Sequence, residues 1–323
     1  MVNSMKNRFC VLMSCLLFVM AGCSGHSKNL KFGAADIGGV YYSFASTFTQ
    51  LADKEIDGYT FETKTTAGSV ANLRLISDGY IDLAIVQADL LSDAYNATGT
   101  FADKKYQKGY KAVASLYTEC CQIVVRKDSG ITGIDDLINK TVSVGASESG
   151  TEKNAEQILK MSGITDELIN KVNMDYTEAA EKLKAGEIDA FFCTAGTRTE
   201  VIGQLSKECD IRLISLDDKC IDKMLSAYSL CEKHTIPAGT YNGQDSDVTT
   251  IGVKAVLIAK QSLSDDVIKN VTKTIYEHAD DFKYATSLDI SFDINTAADG
   301  VDIPFHSGAA AYYTERGINV LTE

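Results

Sequence analysis

The sequence predicts an α/β protein of two similar lobes that close like a clamp on a small ligand in the cleft between them. Three observations carry this. A helical stretch at residues 69–78 runs into Gly79-Tyr80-Ile81-Asp82 and then the apolar run Leu83-Ala84-Ile85-Val86; the unit returns as residues 177–185, Gly186-Glu187-Ile188-Asp189 and Ala190-Phe191-Phe192. Each copy is preceded by another strand, a loop of small residues and a helix. At 323 residues the chain has room for two cores, since single cores stop growing near ~250–300 residues.

In chain order, residues 31–35 read as a short buried strand, followed by Asp36-Ile37-Gly38-Gly39 and a helix. Tyr41, Phe44, Phe48, Leu51 and Ala52 recur at three- and four-residue spacing, one apolar face of that helix. Residues 60–66 form a second strand, and helix 69–78 with strand 82–87 completes a β-α-β-α-β unit. Such a unit implies a parallel sheet with right-handed crossovers. Two apolar runs at 112–117 and 122–125 reach from one lobe to the other. The second lobe restates the pattern: strand 141–144, loop 145–150, a helix at 152–162 closed by Gly163, helix 177–185, strand 188–193 and strand 211–216. The β-branched run 248–259 returns the chain to the first lobe. Ser264 caps a helix with Asp265 and Asp266 in its first turn, and Val267, Val271, Ile275 and His278 share one face. The lobes are therefore expected at 30–118 with 250–323, and at 119–249.

Locally, the repeated unit is punctuation. Gly79 and Gly186 suit the left-handed position that ends a helix. Asp82 and Asp189 satisfy backbone donors at the entry to a strand, and neither is expected to be catalytic. The unit matters because the loops after strands 82–87 and 188–193 lie at carboxyl ends of strands, where open α/β sheets bind ligands.

A formal charge of −13 argues against nucleic-acid binding, which needs a basic footprint. Lys6 and Arg8 precede a mostly apolar stretch at 9–21, too short to span a bilayer comfortably. Met20-Ala21-Gly22-Cys23 resembles a bacterial lipobox, with Met where Leu is more usual. Residues 1–22 are thus expected to leave as a signal peptide, with Cys23 lipidated and 23–29 a tether; simple secretory cleavage after Gly22 is the other reading. Several acyl chains, at ~0.8 kcal/mol per buried CH₂, make a firm membrane anchor. No later stretch is apolar enough for a transmembrane helix. Cys120, Cys121, Cys193, Cys209, Cys220 and Cys231 lack C-x-x-C spacing and read as free thiols, a Cys220–Cys231 bridge being the exception left open.

Two loop-to-helix junctions hold the candidate site. Ile37-Gly38-Gly39-Val40-Tyr41 and Ser147-Glu148-Ser149-Gly150-Thr151 each follow a strand and open a helix. Unpaired N–H groups at a helix start, helped by the helix dipole, attract an anion without a charged side chain. Each junction alone is also readable as a tight turn with a capping residue; two of them in opposite lobes point to a bound carboxylate or phosphate. No Lys-Ser or Lys-Thr follows the glycines, so neither is a nucleotide P-loop.

At these residues the chain resembles a family. Gly38-Gly39-Val40-Tyr41-Tyr42, Gly68-Ser69-Val70-Ala71-Asn72-Leu73-Arg74, Asp82-Leu83-Ala84-Ile85-Val86-Gln87, residues 145–151, Ile188-Asp189-Ala190-Phe191-Phe192, Ile236-Pro237-Ala238-Gly239-Thr240-Tyr241, Ile303-Pro304-Phe305-His306 and the tail through Gly317 are similar to signatures of the TAXI-type solute receptors of TRAP transporters. The resemblance implies a type II-like periplasmic-binding-protein clamp. It would capture a small carboxylate such as glutamate, 2-oxoglutarate or a related acid, and pass it to TRAP permease subunits in the membrane. It would act as an extracytoplasmic monomer, lipid-anchored at the cell surface or in the periplasm. By motif position it places Gly38, Gly39, Val40, Tyr41, Ser69, Asn72 and Gln87 at the ligand in the first lobe. Tyr117, Glu119, Ser147, Ser149, Gly150, Thr151, Ala195 and Gly196 would face them. Asp36-Ile37 stands where such receptors commonly have Gly-Thr, and Arg198 lies near the position of a common proline, either holding a ligand carboxylate or exposed at the surface. Acidic Asp36 and Glu119 favour an amino acid over an oxo acid. The other reading is a ligand-sensing lipoprotein of the same fold that feeds a signalling partner.

An enzyme is not expected. Gly145-Ala146-Ser147-Glu148-Ser149 is one residue short of a hydrolase elbow, and His26, His234, His278 and His306 stand singly without metal-ligand spacing. His278 is expected in a helix core and His306 in a structural role. No cofactor, metal or nucleic acid is expected.

Overall fold

The two copies of the Gly-x-Ile-Asp unit fold alike in the computed structural model, which describes residues 27–103, 108–286 and 292–323. The leader, the lipobox and Cys23 lie outside the described residues. The chain opens with β1 (Lys28–Gly33), α1 (Val40–Glu55), β2 (Tyr59–Lys64), α2 (Ser69–Ser77), β3 (Leu83–Gln87) and α3 (Ala88–Asn96). β1 lies between β2 and β3 and runs parallel to both. β4 (Tyr110–Arg126) follows, then β5 (Thr141–Ser143), α4 (Gly150–Met161), β6 (Asn170–Val172), α5 (Tyr176–Ala185), β7 (Ala190–Ala195), α6 (Glu200–Glu208), β8 (Ile211–Leu213), α7 (Asp218–Ala227) and β9 (Cys231–Ile236). β5 lies between β6 and β7, again parallel to both. β10 (Val248–Lys260) brings the chain back, and α8 (Asp265–Glu277), α9 (Ala279–Thr286) and α10 (Ser307–Thr314) complete it.

The strand order is β2-β1-β3-β10-β4-β7-β5-β6, with β9 on β10 and β8 on β4. The two apolar runs expected near 112–125 are one strand, β4, of 17 residues. β4 and β10 pair antiparallel across the middle of the molecule. On its other edge β10 pairs β3 through residues 255–259 and β9 through 248–253. Both lobes are thus hung on the same two strands, and the expected boundaries at 118/119 and 249/250 fall inside them.

The repeated aspartates act as the sequence suggested. Gly79 and Gly186 are left-handed, with φ of 83° and 74°. The Asp82 carboxylate accepts from Lys31 N at 2.9 Å while Asp82 N donates to Lys31 O at 2.8 Å. Asp189 repeats this with Thr141, at 2.8 Å for both bonds. Each side chain extends the parallel ladder by one rung.

Two apolar cores flank the sheet. In the first lobe Phe32, Phe44, Phe48 and Phe282 are fully buried, with Phe44 stacked on Phe282 at 4.4 Å and Phe32 edge-on to Phe48 at 5.4 Å. In the second, Ile123, Val142, Ile158, Phe192 and Met224 form the core under α4 and α7. One expectation is corrected. His278 leaves the apolar stripe and sits half-buried between Glu55 and Asp281, because α8 ends there. Cys220 and Cys231 are both free thiols, as are the other cysteines among the described residues. Burial pushes the thiols of Cys120 and Cys121 up to about 12. His306 is the N-cap of α10, its Nδ1 accepting from Gly308 N at 3.2 Å.

Candidate ligand-binding site

Three helix starts converge at the carboxyl ends of the parallel strands. α1 begins after Gly39 and α2 after Gly68, and neither N-cap supplies a side-chain acceptor. Gly68 has φ of 118°, a conformation that requires glycine. α4 begins at Gly150 under Ser149, whose Oγ accepts from Glu152 N at 2.9 Å. Between them lies a cavity of about 30 Å³, walled by Gly39, Val40, Tyr41, Ser69, Gln87 and Glu119 on one side and Ser149, Gly150, Thr151 and Ala195 on the other. A space that small holds little more than a water molecule. A larger ligand enters only when the two walls part.

Glu119 is the central titratable group. The alternation of β4 turns it into the cleft, where it is 2% exposed and accepts from the Tyr41 hydroxyl at 2.7 Å. Burial pushes its carboxyl up to about 8, with the Tyr41 hydroxyl and the Gln87 amide pulling the other way. Asp36, at the cavity edge, rises to about 6 through burial and then the nearby Asp175. Asp89, behind Gln87, also rises to about 6 through burial. No lysine or arginine lines the cavity. Burial holds the Tyr41 and Tyr176 hydroxyls protonated.

The second wall is braced by a hydroxyl chain. Tyr176 donates to Thr194 O at 2.9 Å, so Thr151 Oγ1 donates to Tyr176 at 2.6 Å and accepts from Thr194 N at 3.1 Å. Two buried wall atoms have no partner among the described residues, Gln87 Oε1 and Thr194 Oγ1. Both accept hydrogen bonds, and Thr194 can also donate one.

Six of the residues expected at the ligand do not line this cavity. Asn72 is wholly buried and committed: Nδ2 donates to Ala34 O at 2.6 Å and Ile85 O at 2.9 Å, while Oδ1 accepts from Thr66 at 2.7 Å. It ties the loop after β1 to the end of β3 and so positions that loop. Tyr117 is buried near Glu119 with its hydroxyl unpartnered, but does not line the cavity. Ser147 lines an outer groove with Asp36 and Asp175. Gly38 lines another, against α5 and α6. Gly196 accepts from Thr199 Oγ1 at 2.7 Å behind the wall. Arg198 is exposed, with a left-handed φ of 70°. Conversely, Tyr176 and Thr194 line the cavity although they lie outside the residues the resemblance places at the ligand. Tyr176 opens the helix that carries the second repeated unit and Thr194 precedes Ala195, which is the signal that could have found them.

The described residues contain no group of His, Cys, Asp or Glu able to hold a metal ion, and no helix long and apolar enough to cross a membrane. The fold is similar to that of the periplasmic binding protein BugD, with a TM-score of 0.54 at 10% identity over 80% of this chain and 85% of that one. A binding protein component of an ABC phosphonate transporter from Pseudomonas aeruginosa gives 0.53 at 11% identity, over 80% and 78%. A candidate L-cystine ABC transporter protein from Listeria monocytogenes gives 0.52 at 13% identity, over 80% and 94%. At these identities the likeness establishes the fold, a periplasmic-binding-protein-like α/β clamp. A family model described as the NMT1-like family matches residues 32–317, and the chain belongs to that family.

Proposed function

We propose that the protein is an extracytoplasmic solute receptor that captures a small carboxylate between its lobes, residues 30–118 with 250–323 and residues 119–249. The observation that carries this reading is the convergence of three helix starts, from both sides of the cleft, on one cavity with no cationic side chain. Helix starts offer open N–H donors and a favourable dipole to an anion. The acceptors Glu119, Asp36 and Gln87 Oε1 suit an ammonium group on the same ligand, which favours a glutamate-like amino acid over 2-oxoglutarate. Binding rather than catalysis fits Ser149, whose hydroxyl caps α4 and meets no base.

The resemblance to TAXI-type receptors supports delivery to a TRAP permease driven by an ion gradient. The lipobox supports an anchor at Cys23. The test is a thermal-shift screen of amino acids, 2-oxo acids and mono- and dicarboxylates on residues 24–323. A rise in melting temperature with at least one acid, larger for an amino acid than for its oxo analogue, is expected. No rise with any of them would overturn the carboxylate reading.

A further inference from the structure

The walls of the cleft meet along a seam whose charged groups lie outside the cavity. We infer that Arg74 and Glu148 form a latch between the lobes that raises ligand affinity without touching the ligand; this rests on the clamp reading above. Arg74 lies on α2, and Glu148 in the loop that leads into α4. One edge of the guanidinium engages both carboxylate oxygens, Nη2 with Oε2 at 2.6 Å and Nε with Oε1 at 3.2 Å. A two-point fork of this kind fixes orientation as well as distance. Neither residue lines the cavity.

Glu148 is held in place for this contact. Its φ of 65° is left-handed, which residues with side chains seldom adopt. Its N–H donates to Glu152 Oε2 at 3.0 Å. Its carbonyl accepts from Ala71 N at 3.1 Å, one of the open donors at the start of α2. Glu148 thus grips α2 through its side chain and its backbone at once. Beside it Gln87 Nε2 donates to Asn154 Oδ1 at 3.0 Å, and a Cβ on Gly150 would stand 2.4 Å from Gln87 Oε1. The Arg74–Glu148 fork, the Ala71–Glu148 bond and the Gln87–Asn154 bond join the end of β3 and α2 to the start of α4, and all three are lost if α4 moves away.

A contact present only when the lobes are together stabilises the closed form alone. It therefore raises affinity by increasing the closed population, whichever ligand is bound. Both partners are partly exposed, at 32% and 44%, so the effect is modest and screened by salt.

The test uses L-glutamate and 2-oxoglutarate as probes. Arg74→Gln and Glu148→Gln are each expected to weaken binding about three- to fivefold, through faster dissociation. The reversed pair, Arg74→Glu with Glu148→Arg, is expected to bind more tightly than either reversal alone. In the absence of ligand, small-angle scattering should give a larger radius of gyration for the glutamine variants than for the wild type, and high salt should move the wild type toward them. Unchanged affinity and radius, or a reversed pair no better than its single reversals, would overturn the latch. If the wild type binds neither probe, the preference for a glutamate-like acid falls and scattering alone decides the latch: equal radii overturn it and larger radii in the variants support it.

Discussion

Glu119 concentrates the physical tension of the site. Its folded carboxyl, near 8, lies well above the ordinary 4.5, so the folded chain keeps a proton that the unfolded chain releases. The stability this contributes is complete below about 4.5 and is lost as pH rises through about 8. Asp89, raised to about 6, adds the same sign at lower pH. Urea titrations should therefore show the wild type losing on the order of a few kcal/mol between pH 5 and pH 8, with Glu119→Gln losing clearly less; equal losses would contradict the assignment. Asn72→Ala should act on folding, costing on the order of 1–3 kcal/mol because it removes the buried Nδ2 bonds that tie Ala34 O to Ile85 O. A variant with wild-type melting and weakened binding would instead restore Asn72 to the ligand shell. The residue scale was the hardest to read in advance. Asn72 and Gly150 sit in equally suggestive motifs, and only three-dimensional packing reveals that one has spent its hydrogen bonds on the backbone while the other faces the cleft.

At the scale of elements, the sequence was most legible where periodicity is strong. The stripe Tyr41, Phe44, Phe48, Ala52 marks the buried face of α1, and the Gly-x-Ile-Asp units mark the entries to their strands. β4 was read as two runs because Thr118-Glu119 interrupts its apolar pattern, yet Glu119 is buried at the cleft. Places where a pattern breaks without breaking the element are often functional. His278 was misread for the opposite reason: it keeps the helical spacing of α8 but lies at the C-cap, where the helix no longer faces the core. Phe44 joins α1 to α9 through the stacked Phe282 ring. Phe44→Ala should cost ~3–5 kcal/mol in chemical denaturation, while Tyr284→Ala, at a ring 89% exposed, should fall within ±0.5 kcal/mol. Comparable effects at both positions would refute the packing described for the first lobe.

Across the whole molecule, two lobes share β4 and β10 and meet at a seam beside a small cavity. That architecture follows from the duplicated β-α-β-α-β pattern, so the fold class was legible from the chain alone. The ligand was not, because the donors proposed for its acid group are backbone N–H groups, which every residue but proline carries. What distinguishes them is convergence, a property of the fold. Gly150 sits at that convergence, and any side chain there collides with Gln87. The most direct test is calorimetric titration of the wild type and of Gly150→Phe with the acid that most raises the melting temperature. One saturable site in the wild type, and no detectable binding to a variant that still melts cooperatively, is the predicted result. Equal affinity in the two proteins would place the ligand outside this cleft and contradict the account.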